Sequence, residues 1–228
     1  MLKFLSALGL SSPATIFGAL AFALMPKLIA HYGAGHLTLV YALCWLPWLL
    51  WAVLAEPKRF AWLGSLFWAL TFLAEVRWGV YAGLLWAAYS LFQGWRKQRQ
   101  ASSSRRMLTP LKLGLQGVVG LGLTAPLAWP LIELTRLSSR SSLSVKDFFG
   151  YSLPPGRLLA FLFPDFGGFH EWVLYSGALV IFLALALLLV WKISPETLFW
   201  LATLTLSALF ALGENLPGIG WLAALPGI

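Results

Sequence analysis

Between Phe60 and Gly94 the chain runs for 35 residues with only two charged side chains, Glu75 and Arg77. As one helix this run would measure about 52 Å at about 1.5 Å per residue, against a hydrocarbon core of about 30 Å. It therefore has to fold back on itself, and the polar interruption from Ala74 to Trp78 is where the hinge belongs. The arms then hold about 15 to 17 residues each, short of the ~20 that a full crossing takes. That places the hinge below the outer surface, in protein or in a water-filled recess.

The remainder of the chain is of the same kind. Hydrophobic residues make up 60% of it and charged residues 11%, where soluble domains have roughly 45–50% and about 25%. With a mean hydropathy of +0.80, these values exclude a soluble globular domain and define an integral membrane protein. The 13 tryptophans suit that class, because indole rings collect at membrane interfaces. The net charge of +8 does not point to nucleic acid, since the basic residues lie in short loops between apolar runs and act as topology signals. Cys44 is the only cysteine. It rules out an intrachain disulfide and a Cys-rich metal centre, and its apolar surroundings predict a buried structural thiol.

Taken in order, Ser11, Ser12 and Pro13 form a helix start, a hydroxyl cap followed by a proline that needs no N–H partner. No small-residue cleavage site precedes the first span, so Met1 to Pro13 is not read as a signal peptide. Spans are expected at about Pro13–Ala30, at Leu37–Leu54 with a kink at Pro47, in the two arms of the hairpin, and at about Leu111–Ile132, Val173–Trp191 and Leu198–Leu212. Gly114, Gly117 and Gly120 give the fifth span a face that a neighbouring helix can approach closely. Residues 143–172 are too polar and too broken by Pro and Gly to cross a membrane. The fold expected is all-α: a polytopic transmembrane bundle of about seven spans, two of them short and forming the hairpin. A surface helix near Arg157–Phe163 belongs to a long non-cytoplasmic loop over 133–172. Residues 1–228 read as a single membrane domain, and the apolar, turn-rich tail predicts a longer parent protein.

With Lys3 inside, the same side receives Lys58, Arg59, Arg96, Lys97, Arg99, Arg105, Arg106, Lys112 and Lys192. The positive-inside rule then predicts a multi-pass cell-membrane protein with a cytoplasmic N-terminus. The opposite face receives Glu75, Glu133, Asp147, Asp165, Glu171 and Glu214, with all three histidines, His31, His36 and His170. Proton-transfer and ligand groups are thus expected to gather on the non-cytoplasmic side.

Each candidate there has a plainer reading beside the functional one. Glu75 and Arg77 either pair or face a cavity, or simply anchor the hinge at the interface. His36, next to Gly33 and Gly35, binds a sugar hydroxyl or phosphate or shuttles a proton, or is a helix-start histidine satisfied by water or backbone. Arg157 follows Pro154, Pro155 and Gly156 at the start of the surface helix, a place for a phosphate or for ordinary lipid headgroups. Asp165, His170 and Glu171 flank Gly167 and Gly168, and a carboxylate there serves as a base or metal ligand, or caps the loop. The zinc-protease HExxH pattern fails after His170 and Glu171. No GxSxG, Walker loop, CxxC or DxD is present. No catalytic residue, metal or cofactor is assigned on these grounds, and no nucleic-acid partner.

Four segments together resemble a known family: GAGHLTLVYALCWLPW (Gly33–Trp48), YSLPPGRLLAFLFPDFGG (Tyr151–Gly168), WVLYSGALVIFLALALL (Trp172–Leu188) and LFALGENLPGIGWLAALPG (Leu209–Gly227). They look like the bacterial YfhO-type membrane proteins, relatives of the C-type glycosyltransferases. The resemblance implies an enzyme that moves a sugar from a polyprenyl-phosphate carrier to a lipid or polymer acceptor on the non-cytoplasmic face. His36 matches the Gly-His position, and Arg157 and Asp165 match the Pro-rich segment. The family's acidic first outer loop has no counterpart, because His31–His36 contains no Asp or Glu, so no catalytic residue carries over. The other expectations are a transporter or flippase component for lipid-linked sugars, and a non-catalytic membrane scaffold.

Overall fold

A computed structural model of the chain describes residues 1–55, 62–99, 108–138, 149–164, 169–190 and 193–218. Every regular element among them is helical. In order these are α1 (Leu2–Ala7), α2 (Ser12–Ala23), α3 (Pro26–Gly33), α4 (Leu37–Leu54), α5 (Leu63–Ala74), α6 (Val76–Arg99), α7 (Leu108–Arg136), α8 (Ala178–Val190) and α9 (Pro195–Leu212). Short 3-10 turns lie at Pro155–Phe161, His170–Trp172 and Gly213–Asn215. Four stretches are long and apolar enough to cross a membrane: Ser12–Gly33, Leu37–Leu54, Pro110–Arg136 and Pro195–Asn215. They make the chain a membrane protein by length and composition, and they match the first, second, fifth and seventh spans expected.

Two compact units divide the chain: Met1–Leu24 with His31–Leu131, and Met25–Ala30 with Ile132–Ile228. The first is built on α4, α5 and α6, which pack on one another, with α1 against α4. Its centre is an exchange of tryptophans for glycines. Trp86 of α6 covers Gly64 of α5, while Trp68 of α5 covers Gly83 of α6, and the two indoles lie 5.8 Å apart. Trp68 also fills the space over Gly120 of α7 and donates its Nε1–H to the Gly79 carbonyl at 2.8 Å. Ser65 donates to the Gln116 carbonyl at 2.7 Å, a second tie from α5 to α7. The missing Cβ at these positions lets the backbones come close, which in lipid is where helix association gains its van der Waals energy.

The hinge sits where the charges are, in a single residue. Glu75 is extended (φ −154°, ψ 113°) between α5 and α6. The arms differ from the expected pair of equals, with 12 residues in α5 and 24 in α6. Helix α6 gains its length by continuing past Gly94 into the basic segment, where Arg96, Lys97 and Arg99 are good helix formers. Other expectations also need correction. Of Gly114, Gly117 and Gly120 on α7 only Gly120 meets a neighbour, and Gly114 and Gly117 face open space. The close face belongs instead to Gly79 and Gly83, a GxxxG pair on α6. Cys44 is exposed rather than buried, since it lies on the outward side of α4 while Leu43 and Pro47 turn inward. Helix α4 continues through Pro47. The first span is divided at Met25, because the residue before a proline is driven out of the α region by the Pro26 ring.

In the second unit, α9 starts on Ser194, whose hydroxyl accepts from the Thr197 N–H at 3.1 Å, with Pro195 in the first turn. Its other end is stitched to the segment before the surface turn. Leu153 N–H donates to Ala211 O at 2.7 Å, Glu214 N–H to Ser152 Oγ at 3.1 Å, and Asn215 Nδ2 to Leu153 O at 3.1 Å. Gly213 has φ +47°, and a Cβ there would overlap Ser152. Where a surface helix is expected near Arg157–Phe163, the chain forms a 3-10 turn at Pro155–Phe161, with Pro155 in its first turn. The expected basic segment around Arg105 and Arg106, the loop positions Asp147, Asp165, Gly167 and Gly168, and the tail beyond Gly218 lie outside the described residues.

Candidate functional site

In the first unit, polar groups collect where α3 passes into α4 and α5 into α6. The turn after α3 is a Schellman motif. His36 N–H donates to His31 O at 2.9 Å, Gly35 N–H donates to Tyr32 O at 3.0 Å, and Gly35 holds φ +79°. This motif brings together the side chains at the positions that His31 and His36 occupy, and their Nδ1 atoms lie 3.3 Å apart. One Nδ1–H donates to the other ring, so the contact holds only while one ring keeps a lone pair there. His31 is buried, at 2% exposure.

Two residues further on, Thr38 of α4 donates to Glu75 Oε2 at 3.0 Å, and Arg77 Nε donates to Oε1 at 3.2 Å. Glu75 and Arg77 are therefore paired. Glu75 is 18% exposed and Arg77 76%. Burial works to raise the Glu75 carboxyl, but hydrogen bonds from Arg77 and Thr38 and the guanidinium charge prevail and hold it below the usual carboxylate range. A carboxylate so held stays ionised and is a weak base.

In the second unit, the 3-10 turn His170–Trp172 is held by Lys27 of α3, which donates to the main-chain carbonyls of Glu171 and, at 3.5 Å, His170. The Glu171 charge attracts the same ammonium. An ammonium within an apolar span needs such partners. Arg157 stacks over the Trp172 ring, 5.4 Å from its centre, and Phe169 meets that ring edge-on at 5.5 Å. The Trp172 Nε1–H is buried and has no acceptor among the described residues. Beside Arg157, Leu158 and Phe161 face Leu204 and Leu209 of α9 across an apolar groove of about 290 Å³.

Of the residues singled out in the sequence, His36, Glu75 and Arg77 thus belong to one unit and Arg157, His170 and Glu171 to the other, while Asp165 lies outside the described residues. Lys27, Thr38 and Trp172 were not foreseen. Lys27 was legible as the lone charge inside an apolar run, whereas Thr38 and Trp172 look like ordinary span and interface residues. Lys27→Met keeps the length of the side chain and removes the tie. Charge-assisted hydrogen bonds contribute about 1.5–3 kcal/mol, so the Trp172 amide, which donates to Phe169 O at 2.8 Å, is expected to exchange hydrogen about tenfold faster or more. Unchanged exchange in the variant would show that the tie holds nothing.

Searches against family models, curated proteins and solved structures return no match for this chain.

Proposed function

We propose that the chain is the membrane core of a glycosyltransferase that passes a sugar from a polyprenyl-phosphate carrier to a lipid or polymer acceptor on the non-cytoplasmic face. The observation that supports this reading is the buried Trp172 N–H, which has no acceptor among the described residues, under the Arg157 guanidinium. A buried donor left unmatched calls for a ligand acceptor, and a phosphate oxygen satisfies it beside a cation. The apolar groove lined by Leu158 and Phe161, which share a 3-10 turn with Arg157, suits the prenyl chain that such a phosphate carries. In this reading α5, α6 and α8 complete about seven crossings in an inner or plasma membrane, with the N-terminus cytoplasmic. The base that transfer requires is sought at Glu171 or Asp165 rather than Glu75, whose two oxygens are already engaged.

A second reading, movement of the lipid-linked sugar without chemistry, is favoured by the interruption of helices at Met25 and at Glu75, since broken helices at depth are a transporter feature. One experiment separates them. Purified protein in nanodiscs is given a radiolabelled polyprenyl-phosphate sugar and an acceptor lipid. Binding that weakens about tenfold in Trp172→Phe, together with label in the acceptor, supports the transferase. Binding without transfer leaves transport, and binding indifferent to both Trp172→Phe and Arg157→Gln removes the phosphate site.

A further inference from the structure

The first unit has a recess of about 200 Å³ between α4, α5, α6 and α7, far along α6 from the Glu75 hinge, where that helix approaches its basic end. Its lining changes character with depth. Lys97 of α6 and Lys112 of α7 stand at the rim, both exposed. One helical turn further in are Gln93 and Gln116, four residues from each lysine and hence on the same faces. Gln93 is 7% exposed, and its Nε2 donates to Tyr89 Oη at 2.9 Å. Trp86, which is buried, with Leu113 and Val53 supplies the apolar part of the lining.

We infer that this recess binds the phosphate headgroup of an anionic amphiphile. Two lysines that line one cleft, on α6 and α7, supply the point charges that hold a phosphate. Two carboxamides, each able to donate and accept, meet the ester and hydroxyl oxygens behind it. The apolar floor takes the first carbons of a chain. Drug-sized ligands need about 300–1,000 Å³, so a recess of this volume admits a headgroup and leaves the acyl chains to run along the outer face of the helices. A basic pocket between membrane helices on the side that carries the positive loops is the setting in which acidic phospholipids are held. The lysines lie in the basic cluster that the positive-inside count places in the cytoplasm, so the site is separate from the one proposed at Arg157 and Trp172 and does not depend on it.

The test uses the full chain purified in neutral detergent, with lipid retention read by native mass spectrometry. Phosphatidic acid is expected to stay bound at least fivefold more than phosphatidylcholine, and to fall about tenfold in Lys97→Gln/Lys112→Gln. A control pair, Lys3→Gln/Arg96→Gln, removes the same charge elsewhere and is expected to retain it. Soluble glycerol phosphate at millimolar concentration tells the source of the anion. Displacement identifies a site that accepts a free phosphate, and no displacement identifies a lipid site. Equal retention of the two lipids, or equal loss in both variant pairs, overturns the inference. Circular dichroism of each variant secures that helix content is unchanged, and Lys97→Arg/Lys112→Arg is expected to restore binding where the glutamine pair abolishes it.

Discussion

Gly79→Ala is expected to cost about 1–3 kcal/mol or more, the range for forcing extra atoms into a packed contact. The added Cβ would fall 2.5 Å from the Phe72 Cα and 2.7 Å from its Cβ. Both are atoms that cannot swing aside, so the α5–α6 hairpin has to open. Opening it pulls the Gly79 carbonyl from the Trp68 indole, which also covers Gly83 and Gly120. The damage therefore spreads from the hinge through the tryptophan exchange to α7. Gly114→Ala is the matched control, because nothing lies within 4 Å of its Cβ position, and alanine in a helix gains up to about 1 kcal/mol over glycine. Thermal unfolding of both variants in detergent checks this. Midpoints that fall by the same amount would mean that the close approach of α5 and α6 does not hold the unit together.

The second large effect is expected at Glu75. Its hydrogen bond from Thr38 links α4 to the hinge through side chains, and the link from Arg77 is exposed enough to contribute little, about 0–1 kcal/mol. Glu75→Ala is expected to destabilise the unit by roughly 1.5–3 kcal/mol, mostly through Thr38. Glu75→Gln keeps one acceptor oxygen and most of the fold, but loses the charge. The pH dependence has a definite sign. A carboxylate whose folded pKa is depressed contributes stability that is present above its unfolded value of about 4.3 and is lost as pH falls through the lower folded value. The wild type is thus expected to lose the Thr38 tie only in acid well below about pH 5, and Glu75→Gln to show no such loss. Identical acid titrations of the two proteins would rule out Glu75 as the group concerned.

Where composition alone decides the outcome, the sequence is easy to read. Leu37–Leu54 is placed to the residue because a glycine-rich turn and a basic loop bound an unbroken apolar run, and the hinge at Glu75 follows from length against bilayer thickness. Features set by local stereochemistry are harder. The break at Met25 comes from the Pro26 ring acting on its predecessor, which hydropathy does not register. The eye goes to the glycines of α7, which recur every three residues, whereas Gly79 and Gly83 are hidden inside the longest apolar run. The two histidines read as separate candidates because their meeting depends on Gly35 taking a positive φ. In the second unit Arg157 stands out, yet its stacking partner Trp172 does not, since an interface tryptophan has no distinguishing spacing. Family resemblance adds an expectation about substrate and no residue beyond these.

The break in the first span has a consequence for the bilayer itself. Pro26 carries no hydrogen to offer the Phe22 carbonyl four residues earlier, so that oxygen, well inside an otherwise oily stretch, must look elsewhere for a donor. Hydrocarbon has none to give. A water molecule reaching this end of α2 would supply the missing donor, so the break is where an otherwise apolar span admits solvent.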